Sequence, residues 1–146
     1  MPGPTDIPFS TTLAVRDSCV CLHVQRAARA VARRFDEALR PLDLTNGQFS
    51  LLMSLNNPAP PSMTTIARVL AMDRTTLTAA LKPLERRGLV KVTADPADRR
   101  SRVMTLTPAG KERLAAAVPV WKRMHVAIER LVGDADRLRA DLIAVS

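Results

Sequence analysis

The stretch from Thr64 to Gly88 leaves this chain the fewest choices. Its apolar residues fall at helical spacing in two sets, Ile66, Leu70 and Met72, then Leu77, Ala80, Leu81 and Leu84. Asp73 stands between the sets where an N-cap belongs, its carboxylate placed to accept from amides of the next turn. Gly88 follows Arg86 and Arg87, as at a helix C-terminus. The pattern predicts two helices joined by a tight turn, with small Ala67 where they cross. Arg74, Thr75, Thr76 and Thr78 then lie on the open face of the second helix, short polar groups suited to the edges of a groove.

This spacing matches a helix-turn-helix, whose second helix lies in the DNA major groove. A buried helical hairpin shares the pattern, and the residues after Gly88 separate the two. Leu89 to Thr93 and Arg102 to Leu106 are short runs rich in β-branched residues and read as strands. The polar segment between them, Ala94 to Ser101, carries Asp95, Pro96, Asp98, Arg99 and Arg100. A β-hairpin with a basic tip, placed directly after a helix-turn-helix, is a wing. Pro83 interrupts the second helix, where a proline costs about 3 kcal/mol in a regular interior. The pattern continues through Leu84, Arg86 and Arg87, so a bend between Ala79 and Pro83 is expected, with the helix running on.

The flanks read as helices. Residues 1–14 hold Pro2, Pro4 and Pro8 without a clear period and are expected as an extended arm. A first long helix is expected from about Arg16 to Leu39, its stripe made of Cys19, Leu22, Ala27, Ala30, Val31, Phe35, Ala38 and Leu39, and ended by Pro41. Thr45 and Gln48 form a capping box for the next helix, whose apolar face is Phe49, Leu52, Met53 and Leu55. Thr107 caps another, with Pro108 at its first position, expected to reach about Val132 with a kink at Pro119. Gly133 stops it and Asp134 caps a last helix to about Ala144.

Leu13, Val15, Leu131, Leu138, Leu142, Ile143 and Val145 are more terminal apolar surface than one small head could bury, which points to a homodimer. The expected fold is mainly α with a small β-wing: a winged helix-turn-helix head over 42–106 in a 15–146 domain, with dimerisation helices over 15–41 and 107–146.

Charge supports a duplex partner. The net charge is +8, and residues 62–106 carry nine Lys/Arg against four Asp/Glu, while the last forty residues carry seven against five. The surplus therefore peaks on the segment proposed to meet phosphate. With three phenylalanines, one tryptophan and no tyrosine, the chain is poorly equipped to stack unpaired bases, which argues against single-stranded targets. No apolar run of membrane-spanning length and no secretory leader is read, so a cytoplasmic protein is expected. No nucleophile–base pair, phosphate loop or metal-ligand cluster points to an enzyme, and no metal or cofactor is expected.

Four segments together, Asp73 to Thr78, Leu84 to Val90, Asp95 to Arg100 and Leu106 to Gly110, resemble the MarR family of winged-helix transcriptional regulators. The resemblance spans nearly the whole chain. It implies a dimer with two winged heads, a pseudo-palindromic double-stranded operator, and often repression relieved by a small phenolic or aromatic effector or by oxidation. The family's recognition-helix contacts fall on Arg74, Thr75, Thr76, Thr78 and Lys82. Its wing pair falls on Asp98 and Arg100, the aspartate steadying an arginine for the minor groove, with Arg99 toward phosphate. Ser62 and Thr64 are further candidates for phosphate.

Several of these residues have a plainer reading beside the functional one. A threonine in a first helical turn also suits a local backbone hydrogen bond. His23, Phe49, Met53, Trp121 and His125 could line an effector pocket, or be ordinary surface and core residues. Cys19 and Cys21 could sense oxidants, since some members of the family carry a peroxide-sensing cysteine near the start of the first helix. At i and i+2 on a helix their side chains point to different faces, which poorly suits an internal disulfide or a shared metal and leaves burial as small hydrophobes as the plainer reading. A sequence-indifferent architectural protein remains the other DNA-binding reading, separable by competition with random DNA.

Overall fold

The computed structural model describes residues 1, 3 and 5–146. The chain falls into two compact units, Met1–Arg34 and Phe35–Ser146. Pro2 and Pro4 of the expected arm lie outside the described residues.

The first unit departs from expectation twice. Helix α1 spans Phe9–Ser18, so much of the stretch expected to be extended is helical. Pro8 sits at its N-cap with φ −58°, a value the ring imposes and a helix start accepts, and the next ten residues contain no glycine or proline to stop it. The single long helix expected from Arg16 is broken at Cys19, and α2 begins at Val20 and runs to Leu39, crossing into the second unit. Cys19 has ψ 110°, outside the helical region. It caps α2 instead, with Leu22 N–H on its Sγ at 3.5 Å and His23 N–H on its carbonyl at 3.1 Å.

The second unit carries the core. After α2 a short 3₁₀ turn, Arg40–Leu42, ends at Asp43 in the left-handed region (φ 54°). Helix α3 (Asn46–Ser54) opens with the expected capping box of Thr45 and Gln48. Helix α4 (Met63–Val69) is capped by Ser62, and α5 (Arg74–Arg86) by Asp73. Helix α5 runs through Pro83, as the apolar period beyond it requires. Leu77, Leu81 and Leu84 of α5 are buried with Ile66 of α4, Leu51 and Leu52 of α3, and Met104. Burial of these side chains, roughly 1.5–3 kcal/mol each, is what fixes α5 against the head.

Strands β1 (Val90–Ala94) and β2 (Arg102–Leu106) pair antiparallel, with Val90 opposite Leu106 and Ala94 opposite Arg102. Val103 also bridges to Ser62, so the wing is tied to the start of α4. Helix α6 (Pro108–Glu129) ends some three residues before the expected limit, and α7 (Ala135–Ala144) follows its Asp134 cap. Arg130 N–H still bonds four residues back to Val126, and the ladder then tightens, with Leu131 N–H on Ile128 and Val132 N–H on Glu129.

Two tight ends set the geometry of the head. Helix α5 closes in a Schellman motif, Leu89 N–H to Leu84 carbonyl and Gly88 N–H to Glu85 carbonyl, with Gly88 at φ 71°. Helix α4 closes the same way through Ala71 at φ 51°, where the β-carbon makes the left-handed conformation unfavourable. Replacing Ala71 by glycine is therefore expected to stabilise the head by about 0.5–1 kcal/mol in chemical denaturation. At the start of α6 the constraint is the reverse. A β-carbon on Gly110 would stand 2.0 Å from the Leu89 carbonyl oxygen, so Gly110→Ala should destabilise by about 1–3 kcal/mol or more, read from the denaturation midpoint.

Candidate nucleic-acid interface

The start of α5 is built from its own polar groups. Asp73 accepts from Thr76 N–H at 2.7 Å on one carboxylate oxygen and from the Thr76 hydroxyl at 3.0 Å on the other. These bonds, the backbone one foremost, hold the Asp73 carboxyl below its ordinary range. The Thr78 hydroxyl donates back to the Arg74 carbonyl at 2.8 Å. The local hydrogen bonding weighed for the threonines thus occurs at Thr78, and at Thr76 toward the cap. Each hydroxyl keeps acceptor capacity for an outside donor.

What remains available faces out. Arg74, Thr75, Thr76, Thr78, Ala79 and Lys82 are all exposed, while Leu77 and Leu81 on the opposite side of the helix are buried. Among the described residues no carboxylate pairs with Arg74 or Lys82. A helix surface with short side chains, one long cation at its start and another two turns on can approach a groove edge closely.

The wing tip is held by aspartates acting on backbone. Asp95 N–H bonds to the Ser101 carbonyl at 2.9 Å, closing the loop, and Ala97 N–H bonds to the Asp95 carboxylate at 2.9 Å. Asp98 takes Arg100 N–H at 3.1 Å and the Ser101 hydroxyl at 3.3 Å. Asp98 therefore fixes the backbone at Arg100 and leaves the guanidinium unpaired. Arg99 and Arg100 are exposed, and among the described residues neither forms an ion pair.

At the start of α4, the Ser62 hydroxyl accepts from Thr65 N–H at 3.2 Å and shares a bond with the Thr65 hydroxyl at 3.0 Å. Thr64 is exposed beside it. Exposed Arg68, Arg86, Lys91 and Arg102 add positive charge to the same unit and were not singled out in the sequence. The basic surplus over 62–106 was the only signal for them.

Of the five residues expected at an effector pocket, three come together and two lie elsewhere. Phe49 stacks on Trp121 with ring centroids 6.3 Å apart, and Trp121 on His125 at 4.7 Å. Phe49 is 6% exposed and belongs to the core; Trp121 and His125 are half-buried. Met53 lines a different groove of about 230 Å³ with Asn56, Lys111, Leu114, Ala115 and Val118. His23 lies in the first unit, beside Arg26, Ala30 and Arg33 of α2. Of the cysteines, Cys21 is exposed and Cys19 half-buried, and Gln25 Nε2 donates to Cys21 Sγ at 3.1 Å. The single helix expected to carry both cysteines is broken between them: Cys19 closes α1 and Cys21 lies in the first turn of α2.

A family model described as the MarR family matches residues 44–101. The chain is 30% identical over 102 residues to the transcriptional regulator HosA of Escherichia coli O111:H-, a match covering 69% of this chain and 76% of that one. Among solved structures it is similar to the M. tuberculosis transcriptional regulator MosR in complex with DNA, at 38% identity and a TM-score of 0.81, over 88% of this chain and 93% of the other. It is also similar to the transcriptional repressor CouR bound to a 23-mer DNA duplex, at 29% identity and a TM-score of 0.81, over 97% of this chain and 99% of the other.

The Asp73 cap carries a pH signature. Its carboxyl is lowered on folding, so its contribution is present above the unfolded value of about 3.9 and is lost as pH falls through the lower folded value. Asp73→Asn still accepts the Thr76 amide but does not titrate. Its stability should fall less steeply with acidification below about pH 4 than that of the parent, measured by urea titrations at several pH values.

Proposed function

The chain belongs to the MarR family, and from that premise we propose that it is a homodimeric, sequence-specific regulator of transcription acting on double-stranded DNA in the cytoplasm, a repressor released by a small effector. It is a transcriptional regulator and not an enzyme. The observation that carries the reading is the outward face of α5: Arg74, Thr75, Thr76 and Thr78 with Lys82, exposed and, among the described residues, without acidic partners, on the same unit as the exposed Arg99 and Arg100 of the wing. In this reading Arg74 and the threonines meet base edges in the major groove, and Lys82, Ser62 and Thr64 meet phosphate. Arg100, its backbone fixed by Asp98, enters the minor groove, and Arg99 stays on the sugar–phosphate edge. The structures of MosR and CouR with DNA support this choice of partner.

A second copy is argued from unburied apolar surface. Val15 and Val20 in the first unit and Leu131, Leu138, Leu142, Ile143 and Val145 in the second are exposed. Two heads related by a two-fold axis would read a pseudo-palindrome with half-sites about 34 Å apart or a multiple of it. A small aromatic or phenolic effector would act by favouring a separation of the heads that one duplex cannot satisfy. The half-exposed Trp121 and His125, already stacked, supply a surface on which such a ring could lie.

The break at Cys19 supports a second reading, release by oxidation. A hydroperoxide would oxidise one thiol to a sulfenic acid, leaving as alcohol. The other thiol would then displace water to form the Cys19–Cys21 disulfide. The bridge would constrain the junction of α1 and α2.

Selection of bound fragments from genomic DNA, followed by footprinting, tests the main reading. The expected result is a two-fold footprint, with the selected duplex preferred over random duplex by about a thousandfold or more. Binding that depends steeply on salt but little on sequence would point to the architectural alternative. For the second reading, hydroperoxide should release the duplex from the parent chain and leave the Cys19→Ser variant bound; equal release from both excludes it.

A further inference from the structure

We propose that Arg87, although it follows Arg86 in a basic run, is a positioning residue for DNA reading and not a phosphate contact: it ties the C-terminal end of α5 to the joint at Leu42 and Asp43. The inference rests on the DNA-binding reading above. Arg87 is the C-cap of α5, and its Nη2 donates to the Asp43 carbonyl at 2.6 Å and stands 3.1 Å from the Asp43 carboxylate. Its side chain is only 27% exposed. By contrast Lys82 and Arg86 are exposed, and among the described residues neither has an acidic partner.

The target of Arg87 is a defined point in the fold. Asp43 closes the 3₁₀ turn after α2 in the left-handed region, with Leu44 N–H wrapped back to the Leu39 carbonyl. The neighbouring Leu42 carbonyl is taken by Arg113 of α6, whose Nη1 lies 2.5 Å away. Consecutive carbonyls at the end of one helical segment thus each receive a guanidinium, one from α5 and one from α6. Carbonyls at a helix end carry partial negative charge, and charge-assisted bonds to them are short and strong. The pair of ties sets where α5 ends relative to the segment that leads in from α2.

Helix α5 is 13 residues long, roughly 20 Å. A tilt of a few degrees about its far end shifts the Arg74 end by about an ångström, enough to misplace hydrogen bonds to base edges. Arg87 acts on reading at that distance, through the helix.

The sign of one substitution separates this from a phosphate contact. Asp43→Asn tolerates the left-handed backbone, keeps the main-chain carbonyl, and removes a negative charge. If Arg87 were a phosphate contact, freeing it would strengthen DNA binding; if it is a tie, affinity for the preferred duplex should fall severalfold. Affinity would be measured against salt concentration for the duplex that the parent chain selects from a random library, and for an unselected duplex, with thermal melts as the folding control. Arg87→Met is expected to lose roughly tenfold on the selected duplex, about one charge-assisted hydrogen bond. Its affinity for the unselected duplex and its salt slope should stay those of the parent. The double variant Asp43→Asn/Arg87→Met should be no weaker than Arg87→Met.

Tighter binding by Asp43→Asn overturns the inference. So does a loss in Arg87→Met that is equal on both duplexes and accompanied by a drop of about 0.9 in salt slope. If Arg87→Met does not fold, the sign given by Asp43→Asn decides alone. A parent chain that prefers no duplex over another overturns the DNA reading itself, and the tie with it.

Discussion

The head depends on a close approach between the start of α6 and the end of α5. The Leu89 carbonyl sits where a β-carbon on Gly110 would have to go. The same carbonyl accepts from Thr107 N–H at 3.1 Å, and the Thr107 hydroxyl donates to the Gly88 carbonyl while accepting from Gly110 N–H. Gly88 and Leu89 end α5 and lead into β1; Thr107 ends β2 and caps α6. One knot of hydrogen bonds therefore fixes α5, both wing strands and the long helix α6 relative to one another. Wing and helix cannot shift independently without breaking it.

Polar groups in the head divide into those that hold the fold and those left outward. Asp73, Asp95 and Asp98 all spend their carboxylates on nearby backbone or hydroxyl donors. Asp36 does the same across the joint, accepting from the backbone and side-chain N–H groups of Asn46, which holds its carboxyl below the usual range. Acids engaged in this way do not neutralise the nearby arginines. Arg74, Lys82, Arg99 and Arg100 stay exposed and, among the described residues, without an acidic partner, although acidic residues stand between them in the chain.

The segment from Leu39 to Asn46 is the mechanical centre of the second unit. It turns sharply through Asp43, is stapled to α3 by Asp36 and Asn46, and receives Arg87 and Arg113 from α5 and α6. The end of α2 is thus joined to α5 and α6 by short polar bonds to main-chain carbonyls.

The sequence by itself determined much of the head. Periodicity placed α4 and α5, capping chemistry placed Thr45, Asp73, Thr107 and Asp134, and the outward face from Arg74 to Thr78 follows from the same period, because a buried stripe at helical spacing leaves the opposite side to solvent. Local rules suffice where side chains bond within a few residues. They failed at Cys19, where a break is permitted by no glycine or proline and shows only in the backbone, and at Phe9–Ser18, where three flanking prolines masked a helix. Tertiary structure alone decided what depends on residues far apart in the chain: Phe49 on Trp121, Gly110 under Leu89, and Arg87 turned inward to Asp43 while Arg86 beside it stays in solvent. Two adjacent arginines are identical as letters. Which of them a carbonyl 44 positions away can reach is a property of the folded chain.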